Sequence, residues 1–192
     1  VNDTIIELGL SLLHEKIRQQ NPALAAQIHI FSSFFYKRLT ENKDKAAGFE
    51  SVRKWAKTNV FEKKYLVVPI NEHLHWYLAI VVNPSFCIAP HALEKRAIEE
   101  AERTADSRYR GWLKDSTTVC IFDSLGGKHQ AVRTNLAGYL TRQHLSLRAQ
   151  TPPGELKKEE LLKTEHIDVA MPQQPNLSDC GVYVLHTFEC FF

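Results

Sequence analysis

The chain has 192 residues, of which 44% are hydrophobic and 24% charged, and its formal net charge is +2. This length and composition predict one globular domain over residues 1–192 and exclude disordered, collagen-like and disulfide-scaffold proteins. The charge is too small to suggest nucleic acid or a membrane surface as a partner, and no apolar run approaches the roughly 20 residues of a membrane span. The four cysteines form no C-x-x-C pair, which favours a reducing, intracellular setting, and we expect a monomer.

Helical periodicity dominates the N-terminal part of the chain. Apolar residues recur at the helical period over residues 1–20, and Asn2 and Asp3 stand where an N-terminal cap belongs. Further helices are predicted at Ile30–Leu39 and Lys45–Thr58.

Short apolar runs typical of buried strands follow. Tyr65–Ile70 and Trp76–Val82 predict two adjacent strands joined by a short turn over residues 71–74. The remaining predicted elements are strands at Thr117–Phe122 and Ile167–Met171 and helices at Gln130–Gln143 and Ser178–Phe191. Helices that precede a mixture of strands and helices indicate an α+β fold.

Two stretches interrupt this pattern and are predicted to be surface insertions. Residues 84–116 are rich in Glu, Lys, Arg and Ala, and residues 150–165 contain Pro and Gly near their start and charges at their end. We assign no chemistry to either stretch. The chain stops in the apolar pair Phe191-Phe192, so we expect its C-terminal end to be truncated.

Cys180 has a sequence context that suits a nucleophile. It follows Ser178 and Asp179, either of which can cap the predicted helix, and Gly181 leaves room for another backbone to approach. The cysteine would lie in the first helical turn, where unpaired N–H groups and the helix dipole favour the reactive thiolate. A buried structural cysteine is the alternative, because free cysteines are often buried.

A base for the cysteine, and a residue to orient that base, are available at the ends of predicted strands. His75 stands at the entrance of one buried strand, and Asp123 directly follows another. His73 lies two residues before His75 and would face the same side of an extended segment, which makes it the competing candidate. Asp123 is alternatively a turn residue that opens Asp-Ser-Leu-Gly-Gly.

Amide side chains are available for an oxyanion, whereas a metal site is not indicated. Gln173 and Gln174 precede Cys180 by seven and six residues, and an amide N–H can stabilise a developing oxyanion. His73 and His75 form an H-x-H pair, but the sequence lacks the paired spacings usual for zinc. We therefore predict no metal and no cofactor.

Four motifs stand in a characteristic order, namely His75-Trp76, Phe122–Ser124, Pro172–Gln174 and Ser178–Gly181. In that order they resemble the catalytic signature of the SUMO-specific, or ubiquitin-like-protein-specific, cysteine proteases of the adenain-like clan. The resemblance covers nearly the whole chain outside the two insertions, and it includes Asn2–Ile6, Val52–Trp55 and Phe61–Asn71. The segment Phe61–Tyr65, together with Asn71-Glu72, looks most like the SUMO-chain-editing branch.

The resemblance implies a papain-like cysteine protease fold. Such a fold has a central mixed β-sheet flanked by helices, with the nucleophile at the N-terminus of a helix. The implied catalytic residues are Cys180 as nucleophile, His75 as general base, Asp123 as the residue that orients the imidazole, and Gln174 in the oxyanion hole with the Cys180 N–H.

Two substrate-binding residues are also implied by the resemblance. Trp76 would roof a narrow tunnel that admits only a Gly-Gly tail, and Asp3 would contact a basic residue on the modifier. The second tunnel aromatic of the family would precede Asn2, upstream of Val1.

The function implied by the resemblance is that of a SUMO isopeptidase. It would cleave after the C-terminal Gly-Gly of SUMO, dismantle poly-SUMO chains on conjugated proteins, need no cofactor and act in the nucleus. A protease for NEDD8 or ubiquitin is one alternative. A catalytically silent SUMO-binding module is another, although all four chemical positions are filled.

Overall fold

The computed structural model describes residues 2–88, 116–148, 156 and 160–192. Within them the strands are β1 (Ile28–Ile30), β2 (Tyr65–Glu72), β3 (His75–Val82), β4 (Thr118–Phe122) and β5 (Glu165–Asp168). The helices are α1 (Asp3–Gln20), α2 (Pro22–Ala26), α3 (Phe35–Glu41), α4 (Lys45–Val52), α5 (Gln130–Leu147) and α6 (Cys180–Phe191).

The strands form one mixed sheet in the order β1-β2-β3-β4-β5. The central three strands are antiparallel, while β1 runs parallel to β2 and β5 parallel to β4. The β2–β3 hairpin turns at His73 and Leu74, whose φ angles of 52° and 64° are the left-handed pair that suits a tight hairpin turn. Because β3 and β4 are antiparallel, the start of β3 and the end of β4 lie at the same end of the sheet.

Alternate residues of β3 point to opposite faces of the sheet and so separate two apolar layers. Trp76 and Leu78 join Ile6 of α1 and Val184 of α6 in one buried layer. Tyr77 belongs to the other layer, which includes residues of α3, α4 and α5. Helices therefore flank the mixed sheet on both faces, which confirms the predicted α+β class.

The segment before α3 is assigned wrongly by sequence periodicity. The sequence predicts a helix over Ile30–Leu39, whereas Ile28–Ile30 forms β1 and α3 begins only at Phe35. β1 is held in place by its parallel pairing with Tyr65–Val67 of β2. This long-range pairing is not visible in the local pattern.

Other predicted boundaries shift by several residues. The observed bounds are Lys45–Val52 in place of Lys45–Thr58, Gln130–Leu147 in place of Gln130–Gln143, Glu165–Asp168 in place of Ile167–Met171, and Cys180–Phe191 in place of Ser178–Phe191. These shifts do not change the order of the elements.

The two predicted insertions lie largely outside the described residues. At their described ends, Pro84–Cys87 forms a 3₁₀ turn, as does Val60–Glu62 earlier in the chain, and Glu165 belongs to β5 rather than to a loop. Among the helices of the described residues, none combines the length and apolar character needed to cross a membrane.

Candidate active site

His75 and Asp123 meet at the end of the sheet where β3 begins and β4 ends. The apolar residues of the two strands pair from Leu78 opposite Phe122 onward, so the polar residues that flank them come together. His75 Nε2 lies 2.6 Å from Asp123 Oδ1. The structure therefore joins the predicted base to the residue predicted to orient it.

The Asp123 carboxylate is enclosed by hydrogen-bond donors, and its side chain is only 5% exposed. Oδ1 accepts from His75 and from the Leu125 N–H at 2.8 Å, and Oδ2 accepts from the Gly127 N–H at 2.9 Å and from His129 Nε2 at 2.7 Å. Burial alone would raise the pKa of Asp123, but the hydrogen bonds from His129, Leu125 and His75 outweigh it and lower that pKa to about 2. The group is thus a carboxylate at neutral pH.

The ionised Asp123 fixes the tautomer of His75. A carboxylate can only accept hydrogen bonds, so the Nε2 of His75 that faces it carries a hydrogen. In the neutral ring Nδ1 then holds the lone pair, which is the state that a general base requires. His75 is partly buried, with 17% of its side chain exposed, and its ring lies 6.0 Å from the ring of Tyr77 at an angle of 27°.

Cys180 is the first residue of α6 and is 5% exposed. The first N–H groups of a helix have no acceptor within the helix, so they present positive charge beside the sulfur. The α6 helix packs against β3, and Cys180 belongs to the same buried apolar layer as Trp76, the neighbour of His75. Cys180 thus lies at the start of a helix, as predicted, and its role as nucleophile stays a prediction.

The cap of α6 differs from the prediction. Asp179 occupies the N-cap position but its side chain makes no capping hydrogen bond, and neither does Ser178 provide one. Instead Asn176 organises the loop, because its Oδ1 accepts from the N–H groups of Ser178 and Asp179 at 2.9 and 3.0 Å. Its Nδ2 also donates to the Asp179 carboxylate at 2.7 Å.

Gln174 ties the segment before Cys180 to the residue after Asp123. The Gln174 N–H donates to the Ser124 carbonyl at 3.0 Å, and the Ser124 hydroxyl donates to Gln174 Oε1 at 2.6 Å. Gln174 Nε2 donates to the carbonyl of Asn176. An amide nitrogen carries two hydrogens, and this bond uses one of the two.

The two predicted substrate-binding residues lie on the same side of the sheet as α6. Trp76 is 2% exposed and shares a buried layer with Ile6 of α1 and with Cys180. Asp3 stands in the first turn of α1, after the N-cap Asn2, whose side chain accepts from the backbone of that turn. Their roles toward a substrate stay predictions.

Two histidines have surroundings in the structure that the sequence analysis does not predict. His73 is a turn residue with a left-handed backbone and not part of an extended segment, so it does not face the same way as His75 by strand alternation. His129, which the sequence analysis does not single out, contacts Asp123 directly. The described residues contain no group of three or more His, Cys, Asp or Glu side chains able to hold a metal ion.

Comparison with known proteins identifies the family. Residues 1–192 match the model of the Ulp1 protease family, C-terminal catalytic domain. The chain belongs to the Ulp1 protease family. It is accordingly the catalytic domain of a cysteine protease.

Similar proteins agree with this assignment. The chain is 39% identical over 202 residues to ubiquitin-like-specific protease 2 of Schizosaccharomyces pombe, with 100% of this chain and 30% of that protein covered. It thus spans less than a third of that curated relative. Among solved structures, a de-sumoylating protease superposes with a TM-score of 0.69 at 29% identity, covering 100% of this chain and 61% of the other.

A solved complex is also similar to this Ulp1-family domain. It is the C-terminal Ulp1 protease domain bound to Smt3, the yeast ortholog of SUMO, with a TM-score of 0.54 at 26% identity. The match covers 98% of this chain and 63% of the other. These structures confirm the predicted papain-like fold.

Asp123 is expected to make the free energy of unfolding of this Ulp1-family domain fall in acid. Its pKa in the folded protein is about 2 against an ordinary value of 3.8, so the folded state favours the ionised form. The stabilisation is complete above about pH 4 and is lost as the pH falls through about 2, amounting to about 2 kcal/mol. Urea unfolding between pH 2 and pH 5 measures it. In Asp123→Asn the free energy of unfolding should depend less on pH over this range. An equal pH dependence in both proteins would contradict the lowered pKa of Asp123.

Proposed function

We propose that the chain is a SUMO-specific cysteine isopeptidase. It cleaves after the C-terminal Gly-Gly of SUMO, at the bond to a lysine of another SUMO or of a conjugated protein, and it dismantles poly-SUMO chains in the nucleus. Membership of the Ulp1 family supports the protease activity. Similarity to a protease domain solved with a SUMO ortholog supports the choice of modifier.

The observation that carries the mechanism is the 2.6 Å contact between His75 Nε2 and Asp123 Oδ1. It leaves His75 Nδ1 able to take the thiol proton of Cys180, while the Asp123 carboxylate stabilises the imidazolium that forms. The thiolate then attacks the carbonyl carbon of the last glycine. The positive end of α6 lies at the position of the sulfur and favours this charge.

The tetrahedral intermediate places a negative oxygen beside the start of α6. The backbone N–H of Cys180 and the free N–H of the Gln174 amide would donate to that oxygen. When the intermediate collapses, the C–N bond breaks, the imidazolium gives its proton to the lysine amine, and a thioester remains on Cys180. Water, deprotonated by His75, attacks the thioester and releases the SUMO carboxylate and the thiol.

Covalent probes test the modifier specificity. The protein is incubated separately with SUMO, NEDD8 and ubiquitin that carry a C-terminal vinyl sulfone, and labelling is followed as a mass shift on a gel. We expect labelling by the SUMO probe, with none in Cys180→Ala. Labelling by the NEDD8 or ubiquitin probe instead would identify another modifier, and SUMO binding without any labelling would indicate a silent binding module.

The tunnel role of Trp76 predicts strict selection of the substrate tail. An indole lying over the substrate backbone would leave no room for a side chain at the last two positions, so a SUMO ending in Gly-Ala should be cleaved far more slowly than one ending in Gly-Gly. Trp76→Ala should weaken cleavage of the Gly-Gly tail. The measurement is kcat/KM on both tails, with the thermal transition as the control for folding. Equal rates on both tails would leave Trp76 as a core residue only.

The proposal also gives Asp3 a role at the modifier surface. It stands in the first turn of α1, and that helix packs through Ile6 in the layer that holds Trp76 and Cys180. An acidic side chain at this place would pair with a basic residue of SUMO and so favour binding rather than chemistry.

A further inference from the structure

The Asp123 carboxylate is held on both sides by histidines. His75 Nε2 lies 2.6 Å from Oδ1, and His129 Nε2 lies 2.7 Å from Oδ2. The two contacts differ by only 0.1 Å, and both histidine side chains are mostly buried, with 17% and 18% exposed. Since the carboxylate only accepts, the Nε2 of His129 that faces it carries a hydrogen and donates.

The ring of His129 also stacks on the ring of Tyr77, which restricts its orientation. Its ring lies 4.0 Å from the ring of Tyr77 at an angle of 17°. Tyr77 is 1% exposed, and its hydroxyl donates to the carboxylate of Glu72. Glu72 is the β2 residue directly opposite His75 in the hairpin. The stack therefore connects His129 to the same end of the β2–β3 hairpin that carries His75.

The loop between Asp123 and His129 closes tightly around this contact. A Cβ added at Gly127 would lie 2.5 Å from Asp123 Oδ2 and 2.9 Å from His129 Nε2, which is closer than side-chain contacts allow. The Gly127 N–H donates to the same Oδ2 at 2.9 Å. The absence of a side chain at this residue is thus what allows backbone, carboxylate and imidazole to meet.

We propose that His129 is a positioning residue, which acts through Asp123 to hold the imidazole of His75 in its catalytic orientation. With His129 and Gly127 on Oδ2, the carboxylate cannot rotate about its own axis without breaking two hydrogen bonds. Oδ1 stays directed at His75. The inference rests on the proposed triad and adds a fourth side chain to it. A merely structural histidine would stabilise the loop without affecting the chemical step.

Two substitutions of His129 separate the contribution of its hydrogen bond to Asp123 from the contribution of its aromatic ring. His129→Phe keeps an aromatic ring for Tyr77 but removes the donor, whereas His129→Gln keeps an N–H donor near the position of Nε2 and removes the ring. We expect His129→Phe to lower kcat by about 10–100-fold, by analogy with the loss of a hydrogen-bond partner that orients a metal-ligating histidine, with little change in KM. His129→Gln should recover most of that loss.

A double-mutant cycle shows whether His129 acts through Asp123. In an Asp123→Asn background, His129→Phe should cost little more, because the group through which it acts is already gone. Single-turnover cleavage of a SUMO fusion with enzyme in excess measures the slow variants. His144→Phe is the matched control, since that histidine lies in the last turn of α5 and packs against Phe61, and it should leave the rate unchanged.

The outcomes distinguish this inference from the proposed triad. Full activity in Asp123→Asn would overturn the triad itself. If Asp123→Asn is impaired but His129→Phe is as active as the unsubstituted protein, the triad stands and the role of His129 is overturned. A loss in His129→Phe that Gln does not recover, or that appears in full in the Asp123→Asn background, would also overturn it. The thermal transition of each variant shows that the fold is retained.

Discussion

Cys180→Ala is expected to abolish cleavage of SUMO conjugates while SUMO binding stays largely intact. The substitution removes only the sulfur of a residue that is 5% exposed at the start of α6, so the surface proposed to contact the modifier should be unchanged. No other described thiol lies at the N-terminus of a helix beside β3 and β4. Steady-state cleavage of a SUMO fusion measures turnover, and isothermal titration with free SUMO measures binding.

Substitution of His75 or Asp123 should also cause a large loss of cleavage rate, but without removing the nucleophile. His75→Ala removes the base, and Asp123→Asn allows the imidazole to adopt the wrong tautomer, for which a loss of about 10⁴ is known in a serine triad. Both variants retain the thiol, so they should still react slowly with a vinyl sulfone probe. Cys180→Ala should not react at all.

His73→Ala is the matched control for the base. His73 lies two residues from His75 but in the hairpin turn, with a φ of 52°, and it should be replaceable with only a mild loss of rate. Loss of activity in His73→Ala together with retained activity in His75→Ala would overturn the assignment of the base.

The contact between the proposed base and its carboxylate partner is predictable because the two residues flank long apolar runs. A buried strand is recognisable in the sequence, and antiparallel neighbours bring the start of one run to the end of the next. The structure realises this arrangement in β3 and β4 and joins His75 to Asp123 at 2.6 Å. Cys180 is predictable for an equally local reason, because an apolar helical pattern begins directly after it.

His129 is not predictable in the same way. It is one of nine histidines, and its contact depends on a loop that folds back on Asp123 and on a ring contributed by Tyr77. Both are products of tertiary packing and leave no periodic signal. The pair Gly126-Gly127 is the available hint, because it marks a turn between a strand end and a helix start.

Long-range pairing also explains the errors in the fold. The aromatic stripe at Phe31, Phe34 and Phe35 has a helical spacing, yet the preceding Ile28–Ile30 pairs with β2 and forms a strand. The cap of α6 likewise depends on long-range contacts that the local sequence does not reveal. Ser178 and Asp179 have the right residue types, but Gln174 anchors their loop to Ser124, 50 residues away, and Asn176 then takes over its internal hydrogen bonds.

Gln174→Ala is expected to lower kcat by about 10²–10³-fold, the cost typical of removing one oxyanion donor. The Ser124 hydroxyl fixes the orientation of the amide by donating to Oε1 at 2.6 Å. The nitrogen is then directed toward the loop that leads to Cys180, where it donates to the Asn176 carbonyl. In the proposed role its second N–H would stabilise charge that develops only in the transition state, so KM should change less than kcat.

Gln173→Ala is the matched control for this role. Gln173 is exposed, and its backbone carbonyl, which accepts from the Tyr183 hydroxyl at 3.3 Å, survives the substitution. Its effect on kcat should therefore be small. Gln174→Glu keeps an acceptor for Ser124 but replaces the donor by an oxygen, so it should be at least as damaging as Gln174→Ala. Steady-state cleavage of a SUMO fusion, with thermal unfolding of each variant, decides the matter: equal losses in Gln173→Ala and Gln174→Ala would rule out a dedicated oxyanion donor at Gln174.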